Sequence, residues 1–223
     1  VDLPRGRIIC QVETPGAYVY FVNRGLLSLV RTMRDGRVAE IGTVGIEGLA
    51  DLGGVLGFEQ ACLDAIVQIP GEAFRISQSA LRDALARSEK LQAQVRHYVR
   101  WVISQIAQTA ACNRLHALEQ RCCRRLLIAH DNARSDTFAL THELFALTLG
   151  AQRPSVSSAI GNLRKAGLIA YRAGQVTILD RARLSQASCE CYETMRQQLD
   201  WAFPAIDPRR LGTGTLFAPM SAS

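Results

Sequence analysis

The sequence predicts an α+β fold, in which a β-rich N-terminal region precedes one long helix and a smaller, mainly helical region. Short strand-like runs separated by glycine fill residues 3–76. Residues 78–129 contain no proline or glycine and have helical periodicity. Two further helical patterns flank Gly150. The expected divisions are a β-roll at 1–87, a long helix at 88–112, a helical domain at 113–203 and a disordered tail at 204–223.

The composition is that of a folded globular chain, with 48% hydrophobic and 21% charged residues. A net charge of +6 favours an anionic partner without identifying it. No apolar run approaches the ~20 residues that span a bilayer, and no charged-then-apolar leader opens the sequence. We therefore expect a cytoplasmic protein with no membrane partner.

The N-terminal region carries a strong turn signal at Asp35-Gly36, which predicts a hairpin between two strand-like runs. Short strands at roughly ten-residue spacing predict a sandwich, roll or barrel. Such a β-domain indicates no function by itself.

Along the long helical stretch, apolar residues recur at spacings of three and four. A helix over residues 89–111 would measure about 34 Å, at ~1.5 Å per residue. Because so small a β-domain cannot bury it completely, we expect this helix to pair with a second copy in a homodimer. The alternative is that it lies across its own domain. The predicted interface residues are Leu91, Val95, Val99, Val102 and Ile106.

Residues 141–168 carry the strongest functional signal. Thr141 is a good N-cap for a first helix, and Gly150 suits its left-handed end. Gln152 begins a second helix, with Pro154 in the first turn. A glycine turn before a helix with a small, polar, basic outer face predicts a helix-turn-helix that enters the DNA major groove. The alternative is an ordinary helix pair with a solvated outer face.

The hairpin expected after the second helix favours DNA binding. Two strand-like runs flank Ala173-Gly174, and a hairpin at this place is the wing of a winged helix. Arg172 and Arg181 bracket it and are candidates for contacts with DNA phosphates.

Several motifs together resemble the Crp/Fnr family of bacterial transcription regulators. The matching motifs are Leu3-Pro-Arg-Gly6, Val19-Tyr-Phe-Val22 with Gly25, Gly42-Thr-Val-Gly-Ile-Glu-Gly48, Gly150-Ala-Gln-Arg153, Ser155-Val156 and Ala166-Gly-Leu-Ile169. The resemblance implies a β-roll of the cyclic-nucleotide-binding, cupin-like type, a long dimerisation helix and a C-terminal winged helix-turn-helix. It also implies a homodimer on a partly palindromic operator in double-stranded DNA, with RNA polymerase as a candidate partner.

By this resemblance, Arg153 occupies the position of the base-reading arginine, and Thr141 that of a phosphate contact. The sequence departs from the family pattern at Ser158, where many members carry a basic residue, and at Pro154, where many carry Glu. The preferred DNA sequence is therefore left open. The predicted DNA-binding residues are Thr141, Gln152, Arg153, Ser155, Ser158, Asn162 and Arg172.

The effector region departs from the family members that bind a cyclic nucleotide, which hold its phosphate with an Arg-Ser pair. Here no lysine or arginine occurs between Gly45 and Phe74, whereas five carboxylates do: Glu47, Asp51, Glu59, Asp64 and Glu72. A phosphate buried among carboxylates without a cation is repelled and poorly solvated. We therefore expect no cyclic AMP and assign no cofactor. The candidate effector-pocket residues are Gly45, Glu47, Gly48, Leu49, Cys62 and Asp64.

Two alternatives stay open at this point. One is a cyclic-nucleotide-responsive or redox-responsive member of the same family. The other is a dimeric ligand-binding module that does not bind DNA, although it would leave the basic outer face of the second helix unexplained.

The cysteines number seven, an odd count without a CxxC pair, and are interpreted as reduced, small apolar side chains. Neither Cys122-Cys123 nor Cys189-Glu-Cys191 completes a metal coordination sphere alone, so no metal site is expected. Cys10 and Cys62 are too few for an iron–sulfur cluster in the β-roll.

No enzyme motif is found either: the sequence lacks a nucleophile elbow, a phosphate loop and HExxH. We therefore assign no catalytic residue and expect a protein that is not an enzyme.

Overall fold

The computed structural model describes residues 1–203, so the tail predicted to be disordered at 204–223 lies outside the described residues. The chain divides into two compact units. The N-terminal unit comprises Val1–Leu29 and Thr43–Ile103, and the described chain from Gln198 onward also belongs to it. The C-terminal unit comprises Val30–Gly42 and Ser104–Gln197. The predicted α+β fold is confirmed.

Antiparallel strands dominate the first part of the chain, as the glycine-punctuated pattern predicted. In the main sheet the strand order is β1-β6-β3-β4, with β2 paired to β6 and β5 to β3. The short helix α1, Leu52–Val55, follows β5. The strands are β1 Asp2–Leu3, β2 Ile8–Cys10, β3 Tyr18–Thr32, β4 Val38–Val44, β5 Leu49–Ala50 and β6 Asp64–Ser77.

The hairpin predicted at Asp35-Gly36 joins β3 to β4 and is confirmed, with Gly36 at φ 81°. Val22, Leu26 and Leu27 of β3 are fully buried in the core, and the strand is buried continuously from residue 25 to residue 30. At Gly71 in β6, an added Cβ would lie 1.9 Å from the Arg24 carbonyl oxygen. Only glycine therefore allows the two strands to approach at this point.

Helices follow the sheet. They are α2 Gln78–Arg87, α3 Glu89–Leu115, α4 Leu118–Ala133, α5 His142–Leu149, α6 Arg153–Lys165, α7 Arg181–Gln186 and α8 Cys191–Ala202. A second sheet has the order β7-β9-β8, formed by β7 Thr137–Ala139, β8 Ile169–Arg172 and β9 Gln175–Ile178. None of the helices in the described part of the chain is long and apolar enough to cross a bilayer.

The long helix α3 ends later than predicted. We expected a break at Cys112-Asn113, but α3 continues to Leu115 and the His116 N–H still donates to the Cys112 carbonyl oxygen at 3.1 Å. The prediction was wrong because nothing between residues 112 and 116 interrupts a helix. With 27 residues, α3 is about 40 Å long.

Two of the predicted dimer residues are already buried within a single chain. Val95 is 8% and Val102 2% exposed, so neither is available to a second copy in this conformation. Over this part of α3, the alternative that the helix lies across its own domain is the better description. Leu91, Val99 and Ile106 remain partly accessible.

Candidate DNA-binding face and effector cavity

Both predicted ends of the first helix of the helix-turn-helix are confirmed. Thr141 is the N-cap of α5, and its side-chain oxygen accepts from the Leu144 N–H at 3.2 Å. Gly150 adopts a left-handed conformation at φ 58° and ends α5. This conformation is unfavourable for residues with a Cβ, and it turns the chain towards α6.

The second helix, α6, begins at Arg153, with Gln152 as its N-cap and Pro154 in the first turn. Its buried stripe packs against α4 and α5 and consists of Val156, Ala159, Ile160 and Leu163. Because these residues fix the rotation of the helix, the opposite face is presented to solvent.

Three of the predicted DNA-contacting residues, Arg153, Ser155 and Ser158, are exposed on the N-terminal half of α6. Arg153 Nη1 lies 2.9 Å from Glu143 Oε1, and both side chains are more than 60% exposed. Such a surface ion pair contributes roughly 0–1 kcal/mol, so a competing acceptor displaces it at little cost.

Asn162 is engaged differently from the prediction. Although exposed, its amide donates to the Glu119 carboxylate of α4. Asn162 therefore contributes to the contact between α6 and α4 in this conformation. Gln152 and Arg172 are exposed, and Thr141 is half-buried by its capping role.

Sequence reasoning missed a cluster around His142, the first residue of α5. Its Nδ1 lies 2.9 Å from Ser157 Oγ on α6, and its ring lies 4.5 Å from the Tyr171 ring on β8. Burial and then the positive charge of Arg153 lower the pKa of His142. These contacts hold α5, α6 and the wing strand together.

The wing is confirmed as the hairpin of β8 and β9, with Ala173 and Gly174 both at positive φ in the turn. Arg172 is exposed at the end of β8. The expectation for Arg181 was wrong, because it bonds Asp131 and Tyr192 at 2.7 Å and His130 at 2.8 Å. Arg181 therefore stabilises the domain rather than reaching outward.

The predicted effector region is closed by its own side chains. The buried Glu47 accepts from the Gly45 N–H at 2.9 Å, and burial raises the pKa of its carboxyl group. Tyr98 of α3 donates to the Leu49 carbonyl oxygen at 2.7 Å. A Cβ at Gly48 would lie 2.7 Å from the Tyr98 hydroxyl, so this glycine allows α3 to approach the loop.

A cavity beside these residues has a volume of about 10 Å³, room for roughly one water molecule. Its lining is apolar apart from Asp51 and the Tyr98 hydroxyl. Of the six predicted pocket residues, only Leu49 lines this cavity. Asp64 accepts instead from the Val12 N–H at 2.8 Å, and Cys62 is exposed on the surface. The six predicted residues therefore do not converge on one ligand-sized pocket here.

The cysteine of the N-terminal sheet is protected from reaction. Cys10 is buried, and burial, followed by the charges of Asp51 and Asp64, raises the pKa of its thiol. A protonated thiol is a poor nucleophile and a poor redox sensor.

Two domain models match the chain. The cyclic nucleotide-binding domain matches residues 1–88, and the Crp-like helix-turn-helix domain matches residues 120–187. The chain belongs to the Crp/Fnr family.

Solved structures, one of them a CRP-family transcriptional regulator, share its fold. TTHB099 of Thermus thermophilus has a TM-score of 0.72 at 20% identity, covering 84% of this chain and 96% of that one. FixK2 of Bradyrhizobium japonicum has a TM-score of 0.66 at 17% identity, covering 85% and 96%. The c-di-GMP-responsive regulator CLP of Xanthomonas campestris has a TM-score of 0.61 at 16% identity, covering 80% and 92%. No curated protein sequence matches the chain significantly.

This Crp/Fnr chain also contains a side-chain cluster that sequence reasoning missed. Cys189 and Cys191 were interpreted as an isolated pair, but Cys112 and His116 lie beside them, with all four potential ligand atoms within 4.8 Å of one another. The premise that the pair stands alone was wrong. The spacing of Cys112 and His116, one helical turn apart, was the signal that could have found the cluster.

Proposed function

We propose that this Crp/Fnr protein is a sequence-specific, DNA-binding transcription regulator. The observation that carries the proposal is the outward face of α6, where Arg153, Ser155 and Ser158 are exposed while the opposite stripe is buried. The exposed Arg172 of the wing adds a cation for the phosphate backbone. The match to the Crp-like helix-turn-helix domain supports the same interpretation.

Arg153 is proposed to read a base. Its guanidinium can bond both O6 and N7 of one guanine, which discriminates against other bases by ~1–3 kcal/mol. The surface pair with Glu143 must be exchanged for this contact, but its exposure keeps that cost low. The small side chains of Ser155 and Ser158 let the helix come close to the bases.

We further propose that the operator-bound form is a homodimer. Two copies of α6 enter successive major grooves about 34 Å apart. Three apolar residues along α3, Leu91, Val99 and Ile106, retain accessible surface, and Ile103 is 61% exposed. We assign the proposed interface to these accessible residues, because Val95 and Val102 are buried within the chain.

Regulation is proposed not to depend on cyclic AMP. The carboxylates of Glu47 and Asp51 are buried, and the adjoining cavity of about 10 Å³ is far too small for a nucleotide. Tyr98 would have to give up its bond to Leu49 before a ligand could enter beside it. A neutral or cationic effector fits these charges better than a phosphate.

The variant Arg153→Ala tests the recognition proposal. Loss of one bidentate base contact should weaken binding to the selected operator by roughly 5- to 150-fold, with little change in the melting temperature. The matched control is Arg82→Ala, which removes the same charge from an exposed position on α2. Unchanged operator affinity in Arg153→Ala would show that α6 does not read DNA in this way.

A further inference from the structure

Four metal-ligating side chains meet in the C-terminal unit from two distant segments. Cys112 lies in the last turn of α3 and His116 follows one turn later. Cys191 is the first residue of α8, and Cys189 lies two residues before it. Cys112 Sγ and Cys189 Sγ are 3.5 Å apart, and Cys191 Sγ is 3.4 Å from His116 Nδ1. The three cysteines are buried and the histidine is half-buried.

The spacing of these atoms fits one ion. A tetrahedral site with zinc–sulfur bonds of ~2.3 Å places its sulfur atoms about 3.8 Å apart, and all four atoms here lie within 4.8 Å of one another. In a polynuclear iron–sulfur cluster the ligands bind different metal ions, so their ligand atoms lie further apart than they do here. Three sulfurs and one imidazole nitrogen also match the Cys₃His set of closed zinc sites.

Groups around the cluster occupy the positions that a bound metal needs. When His116 binds through Nδ1, its Nε2–H requires an acceptor, and the Glu190 carboxylate lies 3.9 Å from Nε2. The Gln108 amide donates to Cys191 Sγ at 3.0 Å, a contact that supports a thiolate. Gln108 already bonds a potential ligand atom, whereas the exposed Glu190 carboxylate has to move closer to accept from Nε2.

Charge is balanced as well. Three thiolates, a neutral imidazole and a divalent ion leave one net negative charge, which needs a nearby cation. Arg124 is 6% exposed, and its Nε has no hydrogen-bond partner among the residues that the structure describes. Arg124 Nη1 lies 3.3 Å from Met195 Sδ on α8, the helix that begins at Cys191. Without an anion beside it, so buried a guanidinium would be costly.

We propose that Cys112, His116, Cys189 and Cys191 bind one zinc-type divalent metal ion in a closed tetrahedral site. Since the protein supplies all four ligands, the ion has a structural role and leaves no position for a substrate. It ties the end of α3 to the start of α8 across the C-terminal unit, independently of DNA binding.

The test begins with the full chain, purified under reducing conditions and analysed for metals by mass spectrometry. We expect one zinc ion per chain. After removal of the metal with a chelator, titration with Co²⁺ should give the intense visible bands of a tetrahedral, thiolate-ligated ion. Saturation should occur at one equivalent, and the melting temperature should rise as the ion binds.

Variants identify the ligands. His116→Gln keeps the buried thiols in place, and it should weaken Co²⁺ binding by more than the ~10- to 100-fold that loss of an outer group costs. Cys191→Ala should abolish stoichiometric binding. Glu190→Gln should show the smaller, outer-group loss. The matched control is Cys122→Ala, an equally buried cysteine of the same unit outside the cluster, which should bind one equivalent with unchanged affinity.

Several results would overturn the proposal. A metal-free protein that binds no Co²⁺ and contains a Cys112–Cys189 disulfide would show a redox pair instead. Iron with acid-labile sulfide would show a cluster. Unchanged Co²⁺ affinity in both His116→Gln and Cys191→Ala would place the metal elsewhere. Because none of these measurements uses DNA, they are independent of the proposed regulator function.

Discussion

At the residue scale, Arg125 of α4 is the largest side chain that the described chain buries almost completely, at 1% exposure. Its guanidinium lies 2.5 Å from the Glu40 carboxylate on β4, within the C-terminal unit. Burial lowers the pKa of Arg125, and the charge of Glu40 opposes that shift. The pair joins the outer end of the β3–β4 hairpin to α4.

Glu40→Gln should therefore destabilise the protein by about 3–5 kcal/mol, because it leaves a buried guanidinium without its counter-charge. Urea unfolding followed by circular dichroism gives the change. The control is Glu72→Gln, which breaks the exposed pair with Arg24 at 2.9 Å and should cost less than ~1 kcal/mol. Similar losses in the two variants would mean that burial does not strengthen the first pair.

His142 predicts a pH dependence. Burial and the charge of Arg153 lower its folded-state pKa below the ordinary value, so the unfolded chain takes up a proton first as the pH falls. The stabilisation is fully present above about pH 6.5 and is lost as the pH drops through the lowered pKa.

The melting temperature should accordingly fall on acidification, and less steeply in His142→Gln. His97→Gln, at an exposed position of α3, is the control and should keep the wild-type slope. If the melting temperature of His142→Gln fell with pH as steeply as that of the wild type, this histidine would not be the source of the pH dependence.

At the element scale, two glycines of the helix-turn-helix predict opposite effects of the same substitution. Gly150 has φ 58° at the end of α5, whereas Gly161 lies inside α6 with open space around an added Cβ. Gly150→Ala should destabilise by roughly 1 kcal/mol because of the left-handed backbone. Gly161→Ala should stabilise by about 0.5–1 kcal/mol through helix propensity. Urea midpoints that shift in the same direction would contradict the assigned roles.

The elements that sequence reasoning predicted well are those with local signals. Thr141, Gly150 and Ala173-Gly174 each act through their own backbone geometry or a neighbouring N–H, so the residue type indicates the structure. Local signals could not predict which surface covers the apolar stripe of α3. An apolar stripe has the same sequence pattern whether a second copy or the rest of its own chain covers it, and Val95 and Val102 are buried within the chain.

Long-range contacts explain the remaining errors. Cys112 and Cys189 are 77 positions apart, and only the fold brings them together. Arg181 has partners on α4 and α8 that its neighbours in sequence do not reveal. The predicted effector pocket is closed because the Tyr98 side chain of α3 occupies the space beside Leu49 and donates to its carbonyl oxygen.

At the scale of the whole molecule, α3 is shared between the units: its residues up to Ile103 belong to the N-terminal unit and those from Ser104 to the C-terminal unit. The proposed dimer interface uses the same helix. Tyr98 and Val102 are buried on one face of α3, whereas Ile103, a residue of the proposed interface, is exposed on another.

Ile103→Glu should dissociate the dimer while leaving the protomer folded, since a buried charge is costly at an interface and harmless in water. Sedimentation equilibrium measures the change, for which we expect a weakening of at least tenfold, or about 1.4 kcal/mol. Leu115→Glu is the control, at a 74% exposed position near the end of α3 and outside the predicted stripe. Equal losses of dimer affinity in the two variants would show that the dimer interface does not include Ile103.

The most direct test of the regulator proposal is a binding selection on genomic DNA fragments with the purified full chain, without and with cyclic AMP, at two salt concentrations. We predict one palindromic motif in every sample, with half-sites about one helical turn apart, and its loss in Arg153→Ala. Enrichment only with cyclic AMP would contradict the closed effector region. Binding without any motif, lost steeply as salt rises, would contradict sequence-specific recognition.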